Sequence, residues 1–137
     1  MANEALVKSV KEIAAASKAG NTEGAYQGYR DLFASEAFAS YRVEDQRQAL
    51  RLMIMAKGLP AQPTPVMSAA YVSAVDCLAR ILPLGDAGDH ELLGVCQLLL
   101  GDEASASTTF RAGLAIERQR DPQSKLCGAL MKRVSMI

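Results

Sequence analysis

Apolar residues recur at intervals of three and four along nearly the whole chain, the spacing that gathers them on one face of a helix. Leu6, Val10, Ile13 and Ala14 do so in a helix expected over residues 4–19, with Asn3 placed to cap it. Gly20-Asn21 stops that helix, since both residues tolerate the left-handed backbone of a helix end. Thr22 is the expected cap of a second helix reaching Phe38, with Ala25, Tyr29, Leu32 and Phe33 on its inner face. A third is expected over 43–57, with Leu50, Met53, Ile54 and Ala56 inward and Gly58 as its stop. Pro60, Pro63 and Pro65 then force an extended connection, because proline lacks the amide hydrogen and restricts its predecessor. The pattern resumes over 66–82 with Ala70, Ala74, Cys77, Leu78 and Ile81. After a loop over 83–88, Asp89 is the expected cap of a fifth helix over 90–100, and Gly101-Asp102 turns the chain into a sixth over 103–119. Pro122 is placed to open a seventh helix, whose apolar stripe is Leu126, Cys127, Leu130, Met131 and Val134.

Composition agrees with an all-α chain. Half of the 137 residues are hydrophobic, yet only 5% are aromatic, and the apolar content is mostly Ala, Leu, Val, Met and Ile. One domain spanning 1–137 is the simplest organisation at this length. Lys+Arg and Asp+Glu balance at 15 each, so no global field draws the protein toward nucleic acid or an anionic membrane. Glu4, Lys8, Lys11 and Glu12 interrupt the first twenty residues, which therefore lack the apolar run of a signal peptide, and no window reads as a membrane span. With Cys77, Cys96 and Cys127 reading as buried, reduced thiols, a cytoplasmic location is expected.

An internal repeat organises the helices. Gly20, Ala25 and Tyr29 are matched by Gly101, Ala106 and Phe110, each pair offset by 81 residues. Leu93-Gly94 on one helix, the Gly101-Asp102 turn, and Ala106 and Phe110 on the next form a helical hairpin with small residues where the helices touch. This segment resembles the signature of a tetratricopeptide repeat, W-x-x-L-G-x-x-Y followed by A-x-x-x-F. His90 stands where that pattern has Trp, and Gln97 where it has Tyr. Two such repeats span about 68 residues, so the middle unit is expected to carry extra residues in its loops. The resemblance implies a tetratricopeptide-like array of about three antiparallel hairpins, over 3–38, 43–82 and 89–119, with a capping helix over 122–135.

Catalytic chemistry finds little footing. His90 is the sole histidine, and Cys96, six residues on, would point about 240° away around the same helix. One histidine and scattered cysteines do not make an ordinary zinc site. Asp86, Asp89, Glu91, Asp102 and Glu103 flank the fifth helix without the spacing of a calcium loop, and read as caps and helix-dipole partners. No catalytic residue, cofactor or metal is expected, and the chain reads as no enzyme.

The resemblance implies instead a binding scaffold in which the first helix of each hairpin lines a concave groove. By spacing, Val7, Val10, Ala14, Gln48, Leu52, Met55, Glu91, Val95 and Leu98 face it. Relatives that hold the acidic C-terminus of a chaperone use Lys and Asn in their early helices, where this chain has Val10 and Ala14. An apolar groove with Met55 at its middle suits an amphipathic helix or extended apolar segment of a partner protein, as for an adaptor or a chaperone. The alternatives are a helical domain that oligomerises through its C-terminal helix, or a small helical enzyme using a carboxylate site that the sequence does not reveal. Neither nucleic acid nor membrane is an expected partner.

Overall fold

The computed structural model describes residues 4–56 and 62–137. The expected cap at Asn3, the stop at Gly58 and Pro60 lie outside them. The helices are α1 (Glu4–Lys18), α2 (Thr22–Ala34), α3 (Glu36–Ser40), α4 (Val43–Ile54), α5 (Pro65–Ile81), α6 (Ala87–Leu99), α7 (Glu103–Arg120) and α8 (Lys125–Ser135). A 3₁₀ turn over Leu82–Leu84 joins α5 to α6. Among the described residues there is no strand, and the fold is all-α.

The repeat inferred from three residue pairs extends to the backbone. Gly20 and Gly101 both take the left-handed conformation, at φ 82° and 83°. In each turn the amide of the next residue reaches back to close the helix end: Asn21 donates to the Ala16 carbonyl and Asp102 to that of Gln97, both at 2.9 Å. The same two side chains cap the following helix, Asn21 accepting from the Gly24 amide at 2.9 Å and Asp102 from Ser105 at 3.1 Å. Every one of these groups is related to its counterpart by the 81-residue offset. The cap of α2 is therefore Asn21, not Thr22, which is already in the helix.

Three other boundaries move for reasons of capping. Ser35 breaks the expected second helix: its backbone is extended, its hydroxyl donates to the Leu32 carbonyl at 2.7 Å, and it accepts from the Phe38 amide at 3.3 Å. That bend drops Phe38 into the core, edge-on to Phe33 at 5.1 Å between ring centroids. Asp86, not Asp89, caps α6, so this helix starts three residues early and the loop 83–88 shrinks. Ser124 caps α8, while Pro122 sits in the preceding turn rather than at the first helical position.

α1 with α2, and α6 with α7, form the two antiparallel hairpins. The middle unit is looser: α5 packs along α2 and α6 and only lightly on α4. α5 and the turn after it, Pro65–Leu84, are long and apolar enough to cross a membrane by length and composition. The expectation that no window reads as a span is corrected to that extent. About a third of the stretch is core, with Ala70, Tyr71, Ala74, Cys77 and Leu78 buried, while Val72 and Leu84 in the same stretch are exposed. α8 folds back on α7, burying Cys127 and Leu130.

Candidate partner groove

α1, α2 and α4 enclose a hollow of about 450 Å³ whose walls include Ala14 and Lys18 from α1, Tyr26 and Tyr29 from α2, and Leu52 and Ala56 from the far side. A second hollow, about 520 Å³, lies along α4 between Gln48, Arg51, Leu52, Met55 and Ala56. Leu52 and Ala56 line both, so Leu52 is a ridge between two depressions. It is 54% exposed, high for a leucine in a helix that buries Leu50, Met53 and Ile54.

Four of the nine residues expected at the groove converge here: Ala14, Gln48, Leu52 and Met55. Val7 is exposed on a separate face of α1, beside Lys8 and Lys11. Val10 and Leu98 are half-buried against the core. Val95 is buried, with 4% exposure, and lines no open surface. Glu91 is engaged by α8, accepting from Arg133 Nε at 2.8 Å, while the same guanidinium lies over the Phe110 ring, 5.7 Å from its centroid. The groove thus opens over the first two units and is shut in the third.

The tyrosines are what the spacing argument misses. It places Tyr29 on the core face of α2 and gives Tyr26 no role, yet Thr22, Tyr26, Tyr29 and Phe33 form a stripe at intervals of four, three and four. The Tyr26 hydroxyl is 3.3 Å from that of Tyr71, buried on α5. Tyr29 stacks on Phe33 at 5.6 Å. Burial, and secondarily the neighbouring Tyr26, raises the Tyr29 pKa above its ordinary value.

The chain's buried charges gather elsewhere. Asp89 has no exposed surface and takes a bidentate pair from Arg47, Nε to Oδ1 at 2.9 Å and Nη2 to Oδ2 at 2.8 Å. Arg47 also bonds Glu44, so the pair ties α4 to α6. A cleft of about 640 Å³ beside it is lined by Arg47, Asp86, Glu117 and Arg120 together with apolar Val43, Leu84, Ile116 and Leu126. Both arginines are already matched to carboxylates, and among the described residues no buried side-chain polar atom lacks a partner. The network spans α4, α6 and α7 around that cleft. His90 packs at the start of α6 beside Gly113, with Nδ1 3.2 Å from the Asp86 carbonyl. The three cysteines are buried free thiols, and desolvation pushes that of Cys96 up to about 12, far from the reactive thiolate range.

Hydrogen bonds from Arg120 and then Ser124 hold the Glu117 carboxyl down at about 2. A depressed carboxylate contributes stability that is complete above its unfolded value of 4.5 and is lost as pH falls toward 2. Glu117→Gln is therefore expected to lower stability at pH 7 and to flatten its fall between about pH 4.5 and 2, read from urea midpoints across that window. A variant with the same acid limb as the wild type would show that Glu117 does not carry it.

No family model, curated protein or solved structure matches this chain.

Proposed function

We propose that the chain is a non-catalytic, tetratricopeptide-like interaction module, an adaptor or chaperone-like protein of the cytoplasm, that holds an apolar helix or extended segment of a partner protein in the α1–α2–α4 groove. The observation that carries this reading is Leu52, a largely exposed leucine standing between two hollows that the first two units build together. Concave, mostly apolar surfaces with a few polar groups and aromatic walls are where peptide segments dock. The repeat geometry supports the same reading, since paired hairpins related by one offset create such concavities. α8 buries Cys127 and Leu130 against the body and leaves Met131 about half exposed, so only part of its apolar stripe is free to meet a second copy.

The test pairs two substitutions with an affinity pull-down and mass spectrometry in the native host. Leu52→Asp is expected to change stability by no more than about 0.5 kcal/mol, as for other exposed positions, and to lose the co-purifying partner. Val95→Asp, which buries an unpaired carboxylate, is expected to destabilise by about 3 kcal/mol or more. A partner retained in full by a folded Leu52→Asp protein would rule the groove out.

A further inference from the structure

The charge around the two hollows is one-sided. The described residues lining them include Lys18 and Arg51 and no carboxylate at all. Neither cation makes an ion pair among the described residues, as is also true of Lys8, Lys11, Arg42, Arg80, Arg111, Arg118, Lys125 and Lys132, but only these two line the hollows. Lys18 stands at the last turn of α1, beside Tyr26 and Ala14; Arg51 follows Gln48 by one turn on α4, with its guanidinium beside Gly88 of α6. The chain as a whole is neutral, so this local excess is not a by-product of a basic composition.

Resting on the groove reading above, we propose that the occupant is an acidic amphipathic segment: apolar anchors that straddle Leu52, one in each hollow, with Asp or Glu side chains reaching Lys18 and Arg51. The apolar floor supplies most of the affinity, since moving Leu- or Phe-sized anchors out of water is the strongest driving force available to such a contact. The cations supply choice. A basic amphipathic segment would bring like charges to both rims, and a neutral one would leave them unanswered. Each rim pair is solvent-exposed, so together they are worth a discrimination of roughly fivefold at low salt, and less as salt rises.

The experiment is selection of a phage-displayed library of random peptides, each about 16 residues long and so able to form roughly four helical turns, on three immobilised baits. These are wild type, Lys18→Glu/Arg51→Glu, and Leu52→Asp, each first shown to be folded by circular dichroism. Wild type is expected to enrich peptides with spaced apolar anchors and a net negative charge. The charge-reversed bait should lose or invert that bias, and Leu52→Asp should enrich nothing. A representative wild-type binder, made synthetically, should bind roughly fivefold more tightly than its Glu→Gln version at low salt, with the ratio closing at high salt. Enriched peptides without acidic bias, or the same bias on the charge-reversed bait, would overturn the acidic-segment proposal and leave the groove standing. Equal enrichment on Leu52→Asp would overturn the groove itself. Sedimentation of the free proteins closes the remaining case: a wild-type dimer abolished by Leu52→Asp would put a second copy in the groove and overturn the proposal.

Discussion

Arg47→Met is expected to cost about 3–5 kcal/mol, enough to leave a domain of this size marginal or unfolded at 25 °C. The reason is what it leaves behind. Asp89 is fully buried in the first turn of α6, and its carboxylate is satisfied by three hydrogen bonds from Arg47. A methionine of similar reach fills the space but cannot pair the charge, and an unpaired buried carboxylate must either be desolvated alone or take up a proton. The helix dipole offsets only a fraction, on the order of 0.5 kcal/mol. Arg47→Met/Asp89→Leu should recover most of the loss, because the penalty lies in the orphaned partner and not in the absence of the pair. Urea denaturation of the two single variants and the double variant forms the cycle that measures it. If Arg47→Met costs less than about 1 kcal/mol, Asp89 has another source of compensation, and the ion pair is not what ties α4 to α6.

The same pair marks the limit of what the sequence discloses. In Asp86-Ala-Gly-Asp89 either aspartate has the local chemistry of a cap, and the apolar periodicity points to the second. Arg47, forty-two residues from Asp89, takes it in the buried bidentate pair and reaches Asp86 only at 3.7 Å, while Asp86 accepts from the Gly88 amide as the cap. Ser35 is similar. Its hydroxyl caps both flanking helix ends locally, but a serine does not by itself stop a helix, and the bend also buries Phe38 against Phe33. By contrast, the Gly20 and Gly101 stops are legible, since a left-handed helix end is a local event, although the cap after the first of them falls on Asn21 and not on the expected Thr22. The groove divides along the same line. Ala14, Gln48, Leu52 and Met55 follow from helical spacing, but spacing cannot say that Val95 is buried or that Arg133 reaches Glu91 from α8. Those are properties of how helices stack, and the middle unit stacks differently from its neighbours.

Gly94→Ala is expected to destabilise the protein by about 1–3 kcal/mol, against a helix propensity that on its own favours alanine by about 1. A Cβ on Gly94 would stand 2.3 Å from Phe110 Cε1. Phe110 has nowhere to go, being fully buried with the Arg133 guanidinium over its ring. The first hairpin solves the same problem in reverse. Its residue at the Gly94 position is Ile13, and there the helices approach because Gly28 on α2 makes room, a Cβ on it lying 2.7 Å from Ile13 Cγ1. One hairpin pairs a large residue on its first helix with glycine on its second; the other pairs glycine on its first with a large residue on its second. Each contact is complementary only within its own unit, so the two hairpins are equivalent in backbone but not interchangeable in side chains. Gly94→Ala/Phe110→Leu should therefore be more stable than the sum of its single changes, a coupling that thermal or urea unfolding would resolve. Strict additivity would mean that the 2.3 Å approach is relieved by helix movement, and that α6 and α7 are held together by something other than this contact.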